Sequence, residues 1–199
     1  VNAFVPMHKI LRAGERGNAK LEKYTVSKSK ARLETVLNPR QGVDAGKYVR
    51  LCVDGELMMS DTPWEQRTNY EVVREARGDV LIAGLGLGMI VLPILKKPEV
   101  TSVTVVEKHA DVIALVRPQL PKRRLTIVNA DILTWAPPIG TTWDTIYFDI
   151  WRGLCTDQLE EIATLHRRFA RRKRPGGWMG SWCAEELRDR RREERARGW

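Results

Sequence analysis

Cysteine is scarce. Cys52, Cys155 and Cys183 are odd in number, far apart, and form no Cys-x-x-Cys pair. Neither a disulfide framework nor a Cys-rich zinc site is expected, and a reducing cytoplasm is the expected compartment. Long apolar runs are missing too. None reaches the ~18 residues that a membrane-crossing helix requires, so no membrane partner is expected. The segment 1–9 lacks the continuous apolar stretch of a secretory signal. The histidines, His8, His109 and His166, are isolated. Without a His-x-x-x-His or His/Cys pairing, no metal site is expected. His109 follows Glu107-Lys108; it reads as a solvated residue at a helix start, with a place near a ligand at that strand end as the alternative. No G-x-S-x-G or Ser-His-Asp spacing stands out. There is no repeat at a period of roughly 20–50 residues.

What remains is an ordinary globular composition. Of 199 residues, 43% are hydrophobic and 30% charged. That suits one domain with at most a small appendage, able to bury a core without staples. The net charge is +9, and its placement is uneven. The stretch from residue 167 to the end holds 12 basic and 5 acidic residues, most of the surplus. Two readings stand: a contact surface for nucleic acid or another anion, or a solvated helix face with mixed-sign pairs.

Three zones follow one another. Residues 1 to about 31 are polar and basic, and Gly14 and Gly17 break any long helix. They read as a loosely ordered arm or a short helix. Residues 48–53 alternate, Asp54-Gly55 turns, and 56–59 returns, a strong hairpin signal. From Thr62-Pro63 a helix is expected to run past Val73 and stop near Gly78. Strands are then expected at 80–83, 103–106, 125–128, 145–148 and 178–183. Helices are expected between them at 89–95, 110–116 and 156–172, with Pro175-Gly176-Gly177 as a sharp stop and a charged helix over 184–199. This alternation predicts an α/β, Rossmann-like doubly wound parallel sheet with an N-terminal β-hairpin. The expected division is 1–62 for arm and hairpin, and 63–199 for a nucleoside-binding domain with a basic C-terminal helix.

The chemistry concentrates at strand ends. Gly84-Leu85-Gly86-Leu87-Gly88 follows the first parallel strand. Glycines there let a ligand approach backbone N–H groups. Glu107, next to Lys108, closes the second strand 19 residues after Gly88. One carboxylate there can take both hydroxyls of a ribose. A dinucleotide fingerprint would want a small residue at Met89, and the Lys-Ser/Thr ending of a P-loop is absent. A tight turn with no ligand is the alternative. Asp131-Ile132 follows the third strand and reads either as a ligand acid beside an apolar residue or as a helix cap. Asp149 closes the fourth strand, where a carboxylate can accept a proton or orient an amine nucleophile; a loop-capping role is the alternative. Trp151 either covers a ligand or packs inside.

The Gly-x-Gly-x-Gly turn, with Glu107, Asp131 and Asp149 at successive strand ends, resembles the class I S-adenosylmethionine-dependent methyltransferases. The hairpin with its Leu51-Cys52-Val53-Asp54-Gly55 turn, and the segment 65–71 after it, resemble the spermidine synthase branch over roughly residues 45–183. The resemblance implies S-adenosylmethionine, or its decarboxylated form, as cofactor. Gly84, Leu85, Gly86 and Gly88 would face its methionine part, Glu107 and Lys108 the ribose, Asp131 and Ile132 the adenine, and Asp149 the transfer site. It implies a methyltransferase of unidentified acceptor, with an aminopropyltransferase as the alternative. A non-catalytic nucleoside- or nucleic-acid-binding module is the third reading.

The sequence departs from the spermidine synthase pattern at the acceptor end. Leu87 stands where that family's glycine loop has Asp, Met58 lies where a Gln is usual, and Arg152 replaces a second acid after Asp149. The Asn69-Tyr70-Glu71 segment is out of register by one. An arginine there repels a cationic diamine. The fold also reads as truncated after the fifth strand, which leaves that strand as an edge for the C-terminal helix or a second subunit, as in a homodimer, to cover.

Overall fold

The computed structural model of the protein describes residues 3–38 and 42–198. Residues 1 and 2 of the expected arm, residues 39–41, and residue 199 of the expected C-terminal helix lie outside them.

The first surprise is the arm. After a short helix α1 (Met7–Ile10), the chain forms β1 (Gly14–Arg16) and β2 (Ala19–Val26). Helix α2 (Lys28–Leu37) follows, its N-terminus capped by Ser27 Oγ, which accepts from Lys30 N. The expected hairpin is β3 (Gly46–Val53) and β4 (Glu56–Ser60). Asp54 and Gly55 both have positive φ, +54° and +78°, as a two-residue type I′ turn demands. The four strands form one antiparallel sheet in the order β1-β2-β3-β4. So residues 14–26 are half of a sheet, where the sequence suggested a loose arm. Gly17, at φ +50°, makes the β1–β2 turn.

The expected single helix after Thr62 is two. Helix α3 (Pro63–Thr68) breaks at Asn69 and resumes as α4 (Tyr70–Glu75). Asn69 is fully buried, and its Oδ1 accepts from Tyr147 Oη at 3.1 Å. Tyr70, displaced from the expected register, is half exposed.

The rest alternates as expected: β5 (Gly78–Ala83), α5 (Val91–Lys96), β6 (Val100–Glu107), α6 (Ala110–Val116), β7 (Leu125–Asn129), β8 (Trp143–Phe148), α7 (Gln158–Phe169), β9 (Lys173–Ser181) and α8 (Ala184–Ala196). All five strands are parallel, in the order β7-β6-β5-β8-β9. The Pro175-Gly176-Gly177 stop sits inside the span of β9, where pairing to β8 is irregular. Helix α7 starts after Asp157, two residues later than expected, with Glu160 and Glu161 early and Arg167 and Arg168 late, matching its macrodipole.

Alternation along β5 builds a core on each face. Val80 and Ile82 join Val103 and Val105 of β6 under Val112 and Val116 of α6. Leu81 and Ala83 join Ile146 and Phe148 of β8 under Leu165 and Phe169 of α7. Phe148 and Phe169 meet edge to face at 5.4 Å. Each such fully buried side chain contributes about 1.5–3 kcal/mol.

The antiparallel sheet packs its inner residues, Ala19, Leu21, Val49, Leu51 and Val53, into the first of these cores. Asp111 at the start of α6 accepts from Asn18 N at 3.1 Å, and Gln119 accepts from Arg12 N at 2.7 Å. Buried Asp61 accepts from Val49 N at 2.7 Å and Met7 N at 2.9 Å, tying α1 to the hairpin. The Asp111 and Gln119 bonds join the antiparallel sheet and the chain before it to α6 and the segment after it. At the opposite edge, β9 has no strand on its outer side among the described residues. Helix α8 turns back onto α7, where Ala184 and Leu187 pack against Ile162.

Candidate functional site

A cavity of about 220 Å³ opens at the carboxyl ends of β5, β6, β7 and β8. Gly84, Leu85, Gly86, Glu107, Lys108, Asp131, Ile132 and Asp149 all line it. These are the sequence-derived candidates with one exception. Gly88 is absent from the lining; a Cβ there would lie 2.7 Å from Leu120 Cδ1, so its smallness serves packing beneath the turn.

The glycine turn is bare because nothing larger fits. Gly84 has φ +97°, and a Cβ on it would stand 2.0 Å from the Asp149 carbonyl oxygen. Gly86 has φ +49°, and its Cβ would stand 2.1 Å from Met59 Sδ. Met59, delivered by β4, accepts from Leu87 N at 3.2 Å and so caps the turn.

Glu107 is buried and held from two sides. Its Oε2 accepts from Leu85 N and its Oε1 from His109 N, both at 2.8 Å. Each oxygen keeps a lone pair for a ligand hydroxyl. Asn129 Nδ2 donates to the Glu107 and Lys108 carbonyls, fixing the loop that carries them. Asp131 is the cap that its sequence context allowed, its Oδ1 accepting from Leu133 N at 2.9 Å, and the residue also lines the cavity. Trp151 does not line the cavity. It packs against the cores, and its Nε1 donates to Glu161.

Asp149 sits where the last turn residue of β8 meets β5, with its N–H donating to the Ala83 carbonyl at 2.8 Å. Burial pushes its carboxyl up to about 7. Glu65, from α3, lines the same cavity. Burial first, and the charge of Asp149 second, push the Glu65 carboxyl up to about 8. Two adjacent carboxyls that resist ionising are suited to holding and passing a proton near neutrality.

Glu65 and Met59 were not identified from sequence. His109, for which the solvated surface was the default reading and a place near the ligand the alternative, lines the cavity, and its buried Nε2 has no hydrogen-bond partner among the described residues. That orphaned nitrogen, the Cβ-free cradle at Gly84 and Gly86, and a two-oxygen acceptor in Glu107 fit a nucleoside bearing a charged tail. Among the described residues no group of three or more His, Cys, Asp or Glu side chains could hold a metal ion.

Part of the C-terminal charge is engaged in internal ion pairs. Arg190 bonds Glu186 at 2.9 Å, Arg192 bonds Asp189, and Arg197 lies 3.9 Å from Glu193. No helix among the described residues is long and apolar enough to cross a membrane.

No protein-family model matches this sequence, and no curated protein matches it. Solved structures do. Spermidine synthase from Thermotoga maritima superposes with a TM-score of 0.52 at 17% identity, over 85% of this chain and 55% of that one. An S-adenosylmethionine-dependent methyltransferase from Mesorhizobium loti gives 0.47 at 20% identity, over 59% of this chain and 52% of that one. The N-methyltransferase NodS from Bradyrhizobium japonicum WM9, solved with S-adenosyl-L-homocysteine, gives 0.48 at 16% identity, over 61% and 62%. This chain thus spans between 52% and 62% of the length of these structures. The superposition on spermidine synthase shows a shared fold: a five-stranded parallel α/β sheet of the Rossmann-like kind with an antiparallel sheet before it.

Proposed function

We propose that this protein is an S-adenosylmethionine-binding transferase, in its simplest form a methyltransferase. The observation that carries the reading is Glu107. It is a buried carboxylate fixed by the N–H groups of Leu85 and His109, with lone pairs left over, beside a turn that admits no side chain. Glu107 would accept the two ribose hydroxyls. The free oxygen of Asp131 would take the adenine amino group, with Ile132 and Ile90 against the ring. Gly84, Leu85 and Gly86 would face the methionine part. When bound, the sulfonium cofactor supplies an electrophilic methyl carbon. The protein's task is then alignment, which accounts for much of the rate in such a transfer. Asp149, as carboxylate, takes the proton from the acceptor's attacking O–H or N–H, and Glu65 stands ready to share it.

A second reading is an aminopropyltransferase using decarboxylated S-adenosylmethionine. The antiparallel sheet over the site favours it, since the likeness to spermidine synthase covers 85% of this chain. Arg152 weighs against it, because a guanidinium at the acceptor end opposes a diamine.

Calorimetric titration with S-adenosylmethionine and with its decarboxylated form, on the wild type and Glu107→Ala, tests both. Micromolar binding of the carboxylated form that Glu107→Ala abolishes is the expected result. Preference for the decarboxylated form transfers the reading to the aminopropyltransferase. Binding of neither refutes both.

A further inference from the structure

A second cavity, about 480 Å³, shares Met58, Met59 and Glu65 with the first. It therefore meets the nucleoside cavity at the two side chains that stand over the glycine turn and next to Asp149. Its volume lies within the range of small-molecule sites, roughly 300–1,000 Å³. Its walls come from elements distant in sequence: β2 and β4, α3, the loop after β8, and α8.

The character of those walls is specific. Trp64 and Trp182 meet edge to face at 5.8 Å, and Trp182 is locked by donating its Nε1–H to Thr68 Oγ1 at 3.0 Å. Leu154 and Met58 extend the apolar surface. The charged groups that face the space are Arg152, Arg190 and Glu65. Arg152 bonds Glu56 and Arg190 bonds Glu186, but neither glutamate lines the cavity. Both ion pairs are well exposed, with side-chain exposures between 39% and 68%. Such pairs are worth at most about 1 kcal/mol, so an incoming anion can replace the glutamate on either guanidinium. Arginine's planar fork binds a carboxylate through two parallel bonds. Glu65 is held mostly uncharged at neutral pH and opposes an anion little. A diamine would meet two guanidiniums in this space and find only Glu65 and, beyond it, Asp149 as partners.

We propose that this second cavity is the acceptor site of the transferase reading above, and that it takes a small organic acid with an aromatic body. The ring lies against Trp64, Trp182 and Leu154. The carboxylate is shared by Arg152 and Arg190, the two guanidiniums that face the space. The nucleophilic atom is presented past Met59 and Glu65 toward the glycine turn.

The test compares two ligands with the same indole ring and opposite charge, indole-3-acetate and tryptamine, titrated into the full chain by calorimetry. Indole-3-acetate is expected to bind about tenfold tighter or more. Arg152→Gln and Arg190→Gln are each expected to weaken it about fivefold and to leave S-adenosylmethionine affinity unchanged. Both arginines lie on the surface, so either variant serves if the other fails to fold. Equal or tighter binding of tryptamine overturns the proposal. So does indole-3-acetate affinity that neither substitution changes, or no binding of either compound while S-adenosylmethionine binds. Loss of S-adenosylmethionine binding with the acid preference intact refutes the transferase reading instead, and leaves an acid-binding site.

Discussion

Gly84 and Gly55 both hold positive φ, +97° and +78°, but their surroundings differ. A Cβ on Gly55 meets nothing within 4 Å. A Cβ on Gly84 meets the Asp149 carbonyl oxygen at 2.0 Å. That atom is backbone, at the end of a buried strand, and cannot swing aside. Alanine at either site bears the left-handed penalty of about 1–2 kcal/mol. Alanine also restricts the unfolded chain, which stabilises by about 0.4–1 kcal/mol at both sites and cancels between them. Only Gly84→Ala adds overpacking, about 1–3 kcal/mol. The difference between the variants is therefore about 2 kcal/mol. With a urea slope of about 3 kcal/mol/M, the Gly84→Ala midpoint should fall about 0.7 M below that of Gly55→Ala. Equilibrium urea unfolding followed by circular dichroism reads this directly. Equal midpoints with equal slopes would mean that the turn does not press on the end of β8. The account of why this loop must be glycine would then be wrong. Gly84→Ala should also weaken S-adenosylmethionine, since any relief of the clash moves Asp149 and the rim of the cavity, whereas Gly55→Ala should not.

Four further outcomes follow from the geometry. Asp61→Ala leaves the buried N–H groups of Val49 and Met7 without an acceptor. At about 1–3 kcal/mol each, the variant should lose roughly 4 kcal/mol in urea unfolding and lose amide protection at Met7. For Asp149, burial raises the carboxyl to about 7 in the fold, so the folded state binds the proton more tightly than the unfolded one, and the stability that this gives is lost as pH rises from the ordinary carboxylate range to about 7. Asp149→Asn should accordingly gain melting temperature relative to wild type over that window; a gap that narrows with rising pH would contradict the assignment. By the same carboxyl, transfer to an acceptor that must lose a proton should rise with pH through about 7, and Asp149→Asn should abolish that limb of the rate profile. Arg174 bridges Asp79 and Asp144 while 39% exposed, so Arg174→Gln should cost no more than about 1 kcal/mol, and that cost should shrink in high salt.

The centre of the parallel sheet was legible because β5, β6 and β8 carry short apolar runs that are buried on both faces, and the turn after β5 because glycine at positive φ has no substitute. β2 was not. Its residues Ala19, Leu21 and Val26 are buried while Lys20, Lys23 and Thr25 are exposed, so the alternation is present but diluted by lysine and glutamate. Its partner, β3, lies beyond a helix, with Tyr24 opposite Tyr48. Pairing across that separation is not written in any short window. The break at Asn69 is similar. It depends on a buried bond to Tyr147, on a strand that the chain reaches much later.

The same distinction divides the site. The first cavity is built from strand termini and main chain: Gly84, Glu107, Asp131 and Asp149 each stand at or just past the end of a strand, so their convergence follows from sheet order. The second cavity has no such rule. Glu65, Met59, Trp64, Trp182, Arg152 and Arg190 come from a hairpin, helix α3, helix α8 with the turn before it, and a loop, and their meeting depends on how the antiparallel sheet is docked on the parallel one, where Asp111 and Gln119 bond its chain. Arg152 illustrates the consequence. In sequence it is a substitution that removes a diamine's partner. In the fold it becomes one of two guanidiniums facing an aromatic cavity. The same residue is a lost acid in sequence and a cavity-lining guanidinium in the fold, and only the second level bears on the acceptor proposed above.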